Sequence, residues 1–248
     1  PMNAIVGYTT IALGQNPEEK TRECLEKIRE SSDHLLTLIN DVLDISRIES
    51  GKLVITPVKT DIRKVVDEVL SIIRGFTVGR KLNIEVRREP LSNPYVLADD
   101  IRIREVLVNV LSNAVKFTRD GGTVTFSADY LPGEDGKINV RYVISDTGIG
   151  MSPEFQKHIF EEFTQEHSDA RTQYTGTGLG MTIAKKYVEL MHGTISVQSK
   201  QGQGSTFAIE LPLEQTDDAP KSEKAARTKG TQLSGHRVLL AEDNDLNA

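Results

Sequence analysis

Two glycine-rich turns contain residue types that could bind a phosphate-bearing ligand. Residues 146–150, Asp-Thr-Gly-Ile-Gly, follow an apolar run, and residues 176–180, Gly-Thr-Gly-Leu-Gly, lead into an apolar-periodic segment. Glycine tolerates positive φ and lets backbone N–H groups approach a ligand, and a glycine turn that opens a helix is an anion site. A single turn of this kind is more often only a tight turn. The pair, which brackets one segment, favours a nucleotide as the ligand.

A polar stripe on a predicted helix over residues 100–118 is the second candidate site. The residues that recur at helical spacing on one face are Glu105, Asn109, Asn113 and then Lys116 or Phe117. Asparagine is a poor helix former, so two asparagines one turn apart suggest side-chain oxygens directed at a ligand. A solvated helix face is the alternative that the pattern alone leaves open.

Composition excludes several classes of partner. The chain has 248 residues, 38% of them hydrophobic, and a net charge of −6 without a basic block, so no nucleic-acid partner is expected. No apolar run approaches the ~20 residues that span a bilayer, so we expect no membrane contact by this chain. The single Cys24 excludes internal disulfides and a cysteine metal site. A cytoplasmic location is expected, with a parent protein that could be anchored in the cell membrane.

The first 50 residues predict two helices joined by a loop. The apolar stripe of the second helix alternates by threes and fours through Leu25, Ile28, Ser32, Leu35, Ile39 and Val42. A hairpin that packs on its own domain and a dimerising bundle both fit this pattern.

Beyond Gly51 the periodicity predicts mixed α and β structure. Helices are expected from Asp61 and over residues 100–118, with alternating strands between and after them. The order predicts an α+β fold in which helices cover one face of an antiparallel sheet. Residues 214–235 contain almost no large apolar side chain and predict a linker, and a buried strand is expected at residues 237–241.

The motifs together resemble the boxes of sensor histidine kinases. Residues 104–118 resemble their asparagine box, and residues 146–150 and 176–180 their first and second glycine boxes. Residues 159–163 resemble the phenylalanine box, and residues 202–207 the third glycine box. The motifs occur in the order that the family shows.

Both ends of the chain extend this resemblance. Residues 1–5 are similar to the end of a phosphoacceptor box, whose reactive histidine would lie just upstream of Pro1 and is absent here. Residues 238–244 resemble the first strand and acidic pocket of a receiver domain. The resemblance implies the kinase core of a hybrid histidine kinase in a two-component phosphorelay, which binds ATP but does not label itself.

The resemblance also implies a domain order. Residues 1–52 would be a truncated dimerisation and histidine-phosphotransfer hairpin, and residues 53–213 a GHKL-type ATP-binding α/β sandwich. Residues 214–235 would be a linker, and residues 236–248 the start of a truncated receiver domain. The implied partners are ATP, a second copy through the hairpin, and a receiver domain of the same or a separate protein. A GHKL-type ATPase and a non-catalytic nucleotide-binding scaffold remain alternatives.

Individual roles follow from the resemblance. Asn113 would coordinate Mg²⁺. Asn109 would lie beside the phosphates, where related ATPases have a glutamate base, and an amide cannot take a proton from water. Lys116 would pair with phosphate and Phe117 would pack on adenine. Asp146 would accept from the adenine amino group. Asn109 and Lys116 are thus the candidate catalytic residues.

The rest of the implied nucleotide site lies in the glycine turns and the segment between them. Its members are Gly148, Gly150, Arg171, Gly176, Thr177, Gly178, Leu179, Gly180 and Thr206. Among these, Gly150 and Thr206 would complete the base pocket, and Arg171 would contact the γ-phosphate. Residues 164–175 would form an ATP lid, with Phe160 and Phe163 attaching its base to the core.

Overall fold

The computed structural model describes residues 1–133, 136–166 and 177–217. The chain divides into two compact units, and the boundary between them falls between Asn40 and Asp41. The receiver-like strand and most of the predicted linker lie outside the described residues.

Two helices form the N-terminal region, as predicted. Helix α1 covers Met2–Gly14, and helix α2 covers Glu19–Glu49, so α2 crosses the unit boundary. Within the first unit the apolar stripe is exposed, since Ile28, Leu35 and Ile39 have 45%, 45% and 42% of their surface accessible.

The second unit contains the remaining helices and strands. They are β1 (Val58–Asp61), α3 (Ile62–Phe76), β2 (Asn83–Arg88), β3 (Tyr95–Ala98), α4 (Asp100–Phe117), β4 (Thr123–Pro132), β5 (Lys137–Asp146), α5 (Pro153–His158), α6 (Gly180–Leu190), β6 (Thr194–Lys200) and β7 (Gly204–Gln215). Asp61 and Asp99 precede α3 and α4, and each side chain accepts a backbone N–H of the first turn. Both helices therefore begin at N-cap aspartates.

One mixed sheet carries these elements. Its strand order is β1-β3-β7-β5-β4-β2, with β6 also paired to β7. The pairs are antiparallel except β2 with β4, which is parallel and departs from the antiparallel prediction. Strand β7 continues to Gln215, and Glu214 pairs with Leu97 and with Lys137, so the first two residues of the predicted linker belong to the sheet.

The core lies between the sheet and its helices. Alternate residues of the central strands are buried, among them Phe126, Tyr142 and Ile144. Helix α4 buries a stripe at helical spacing, namely Ile103, Val106, Leu107, Val110, Leu111, Ala114 and Val115. This stripe fixes the rotation of α4, so its polar face is set by the same packing.

Candidate nucleotide-binding site

The polar stripe of α4 faces the start of α6. The Asn109 Nδ2 atom donates to the Gly180 carbonyl oxygen at 3.3 Å. A Cβ added to Gly180 would lie 3.5 Å from Asn109 Oδ1. The structure therefore brings the first asparagine of the stripe together with the second glycine turn.

Helix α6 begins without a side-chain cap. Its N-cap residue is Leu179, which is fully buried and supplies no capping hydrogen bond. In the turn before it, Gly178 has a φ of +72° and the Thr177 Oγ1 atom accepts from the Leu179 N–H at 3.1 Å. First-turn N–H groups at such a helix start, together with the helix dipole, favour a bound anion.

Lys116 and Phe117 lie at the other end of the α4 stripe. The Lys116 ammonium lies 4.9 Å from the centroid of the Phe117 ring. Burial lowers the pKa of Lys116. Asn113 is half-buried one turn after Asn109. A partly desolvated lysine on the same helix face as two amides suits a phosphate more than bulk water.

Asp146 is a buried acceptor at the end of β5. Its side chain is 7% exposed, and its Oδ1 atom accepts from the Gly148 N–H at 2.8 Å. Burial raises the pKa of Asp146, although the backbone N–H groups of Gly148 and Ser205 act in the opposite direction. The carboxylate is thus fixed in place, and a donor from a ligand would offset part of its desolvation.

The first and third glycine turns pack against each other at this end of the sheet. The Ile149 N–H donates to the Phe117 carbonyl at 3.2 Å, which ties the turn to the end of α4. Gly150 has a φ of +63°, and a Cβ there would overlap the Lys200 carbonyl. Gly204 has a φ of +100°, and a Cβ there would overlap the Asp146 carbonyl. These glycines are required by close backbone approach.

Thr206 does not share the face of Asp146. Its Oγ1 atom bonds Ser145 Oγ at 2.9 Å, and the two residues are paired across β5 and β7. Asp146 instead pairs with the fully buried Val124, on the inner face. Ser205, which is 9% exposed and whose backbone N–H acts to lower the pKa of Asp146, follows Gly204 on the face of Asp146 where Thr206 was expected. Strand alternation permits only one of two adjacent residues on that face.

The phenylalanine box is only partly attached to the core. Phe160 packs against the core, and the Lys185 ammonium lies 5.4 Å from its ring centroid. Phe163, in contrast, is 64% exposed and has a φ of +58°. The prediction that both rings hold this segment is therefore wrong for Phe163. Arg171 and Gly176 lie outside the described residues.

No ready-made metal cluster accompanies the site. Among the described residues, no three His, Cys, Asp or Glu side chains are placed to hold a metal ion. Within the same part of the chain, no helix is both long and apolar enough to cross a membrane.

The segment that contains Asp146, α4 and the start of α6 matches a known family of ATPases. Residues 98–215 match the family of histidine kinase-, DNA gyrase B- and HSP90-like ATPases. Residues 1–51 match the His Kinase A phospho-acceptor domain. The chain belongs to the sensor histidine kinases.

Known proteins agree with this assignment. The chain is 34% identical to the sensor histidine kinase GacS of Pseudomonas protegens over 99% of its own length and 26% of that protein. It is 33% identical to the autoinducer 2 sensor kinase/phosphatase LuxQ of Vibrio parahaemolyticus, over 100% of the chain and 29% of that protein. The crystal structure of full-length ShkA in complex with AMPPNP is 30% identical, with a TM-score of 0.71, over 87% of this chain and 44% of that one. The chain thus spans less than a third of the length of GacS and of LuxQ.

Proposed function

We propose that this chain is the kinase core of a hybrid sensor histidine kinase. It would bind Mg-ATP between α4 and the start of α6 and transfer the γ-phosphoryl group to a histidine just upstream of Pro1. A receiver aspartate would take the group onward. The observation that carries this proposal is the Asn109 contact with Gly180, which joins the asparagine helix to an uncapped helix start.

The base and phosphate ends of the nucleotide fit opposite ends of the site. Asp146 would accept from the adenine amino group, an interaction that guanine cannot make because it has an acceptor at that position. The first-turn N–H groups of α6, after Gly178, would bind the phosphates. Lys116 would add a positive charge to the same phosphates, and Phe117 would pack on the base.

Asn113 would hold Mg²⁺ through its amide oxygen, a hard ligand of the kind this ion prefers. The remaining coordination positions would go to phosphate oxygens and water, so no acidic cluster is required. The Asn109 nitrogen is already used by Gly180, which leaves its oxygen directed away from that bond. When bound, Mg²⁺ neutralises phosphate charge during transfer.

Asn109 favours phosphotransfer over hydrolysis. An amide has no basic site that could take a proton from an attacking water. The site can therefore orient ATP without hydrolysing it. Phosphoryl transfer would be accelerated by positioning and by charge neutralisation. Gly148, Gly150 and Ser205 would shape the base pocket around Asp146, and we assign Ser205 the place predicted for Thr206.

The partners follow from exposed surfaces and from the family. The apolar stripe of α2 leaves Ile28, Leu35 and Ile39 accessible in the single chain, which favours a homodimer over a hairpin that buries its own seam. A receiver domain, of the same protein or a separate one, would accept the phosphoryl group. Because the reaction consumes ATP, this part of the protein would act in the cytoplasm.

The test is phosphotransfer in the full-length protein with radiolabelled ATP. Asn113→Ala should abolish the phosphohistidine signal, whereas Asn139→Ala, on the exposed end of β5, should leave it unchanged. Persistence of the signal in Asn113→Ala would refute the assignment. Steady ATP turnover that Asn109→Ala abolishes would favour the ATPase alternative instead.

A further inference from the structure

The last turns of α2 belong to the nucleotide-binding unit. That unit begins at Asp41, inside the helix. Ile45 is 8% exposed within the core, and Ile48 packs against the same core. The Arg47 carbonyl accepts from the N–H groups of Lys52 and Leu53 at 2.9 and 3.1 Å, which closes the helix end. The end of α2 therefore packs on the same core as the helices that carry the site.

A buried tyrosine joins this helix end to α4 and α6. Tyr187 on α6 is fully buried, and its hydroxyl oxygen accepts from Arg102 Nη1 on α4 at 2.9 Å. The Arg102 guanidinium also lies 4.8 Å from the tyrosine ring centroid and donates to Glu105 Oε2 at 2.7 Å. Arginine can only donate, so the tyrosine proton remains for another acceptor. The side chain of Asp44 on α2 lies close to both groups, and its carboxylate acts on the Arg102 guanidinium and on the Tyr187 phenol.

The tyrosine remains a hydrogen-bond donor over a wide pH range. Burial raises the pKa of Tyr187, and the carboxylates of Glu105 and Asp44 raise it further, while Arg102 acts in the opposite direction. The phenol therefore stays protonated beside the Asp44 carboxylate near neutral pH.

The network and the nucleotide site occupy two levels of the same helix pair. On α4, Arg102 precedes Asn109 by about two helical turns, and on α6, Gly180 precedes Tyr187 by about two turns. The Asn109 bond to Gly180 joins the helices at one level, and the Arg102 bond to Tyr187 joins them at the other. Helices are stiff over two turns. A change in the distance between α4 and α6 at the Arg102 position therefore changes their distance or angle at the Asn109 position.

We propose that Tyr187 and Arg102 are positioning residues, which with Asp44 set the spacing of α4 and α6 so that nucleotide affinity depends on a carboxylate in α2. The proposal rests on the proposed function, since it requires ATP at the Asn109 level. By reciprocity, bound nucleotide must stabilise the Asp44 contact to the same degree.

The chain offers matched controls for each change. Tyr187→Phe removes the hydroxyl inside the network, and Tyr142→Phe removes the hydroxyl of another fully buried tyrosine, for which the described residues provide no hydrogen-bond partner. Asp44→Asn removes the carboxylate, and Asp33→Asn makes the same change at an exposed position of α2. The affinity of each variant for a Mg-bound, non-hydrolysable ATP analogue is measured by calorimetry. Urea unfolding without nucleotide, including the Asp44→Asn/Tyr187→Phe double variant, gives the coupling directly.

We expect Tyr187→Phe and Asp44→Asn each to lower affinity about fivefold. The double variant should lose no more than the larger single loss, and both controls should bind as the wild type does. Lower stability with unchanged affinity would show a merely structural tyrosine and overturn the proposal. The proposal would also be overturned if the affinity losses of the two single changes multiplied in the double variant. The same holds if urea unfolding showed no coupling energy between the two changes. If neither the wild-type chain nor the Tyr142→Phe control binds nucleotide, the proposed function itself is refuted. Loss of binding in the network variants alone does not have that meaning.

Discussion

Asp146→Asn separates the two roles of the buried carboxylate. The Oδ1 atom accepts from the Gly148 N–H at 2.8 Å, and asparagine can preserve this bond only if its oxygen takes that position. The amide nitrogen then occupies the position of the second carboxylate oxygen. A donor would face the adenine amino group, where the wild-type protein offers an acceptor.

The expected magnitude follows from this exchange. One hydrogen bond to a charged group is worth about 1.5–3 kcal/mol, which corresponds to roughly a 10- to 150-fold loss of ATP affinity. The same amide can donate to the guanine oxygen, so the preference for ATP over GTP should narrow further. Folding should not suffer at pH 7, because burial raises the pKa of Asp146 and the neutral amide avoids the cost of a desolvated charge.

The pH dependence has a definite sign. Since the folded-state pKa of Asp146 lies above the ordinary value of 3.8, its contribution to stability is fully present below 3.8 and is lost as pH rises through the raised folded value. Asp146→Asn removes this dependence. Relative to the variant, the wild type should therefore lose stability over that rise in pH.

Calorimetry with ATP and GTP analogues, and urea unfolding as a function of pH, measure these effects. Asp129→Asn is the matched control, because Asp129 lies on β4 opposite Arg141 and next to the buried Ala128, on the outer face. It should bind ATP as the wild type does. Wild-type ATP affinity in Asp146→Asn would refute the assignment of Asp146 to the base.

Other predictions concern glycines and the core. In urea unfolding, Gly204→Ala should destabilise the fold by about 3 kcal/mol or more, because its Cβ would overlap the Asp146 carbonyl. The control Gly121→Ala has a φ of +87° and nothing within 4 Å of its added Cβ, so it should cost about 1–2 kcal/mol. Gly180→Ala should change stability by less than about 0.5 kcal/mol yet lower ATP affinity about tenfold in calorimetry. Tyr142→Phe should raise the free energy of unfolding by about 1 kcal/mol, because its buried hydroxyl has no partner among the described residues.

Local patterns were sufficient to predict the elements that carry the site. The polar stripe of α4, with Asn109 and Asn113 one turn apart, followed from helical spacing. The N-cap of α3 at Asp61 was equally local, since the capping side chain and the N–H it accepts lie two residues apart. Such features depend on neighbours in sequence, which is why sequence alone predicts them.

Features set by strand register and distant contacts were not predictable. The sequence cannot say whether Ser205 or Thr206 shares the face of Asp146, because the register of β7 against β5 is fixed by packing along the whole strand. The bond between Arg102 and Tyr187 joins residues far apart in sequence, and no local periodicity marks such a pair.

The glycine boxes, which looked alike in sequence, divide into two physical classes. At Gly150 and Gly204 the backbone itself excludes a side chain, so these residues are required for folding whether or not a ligand binds. At Gly180 the nearest described atoms to an added Cβ would be those of the Asn109 side chain, from 3.5 Å, which is an ordinary van der Waals distance. The contacts among the described residues therefore do not require glycine at that position. If glycine is needed there, the requirement comes from a ligand that approaches the start of α6, and the contrast between Gly180→Ala and Gly204→Ala tests this distinction.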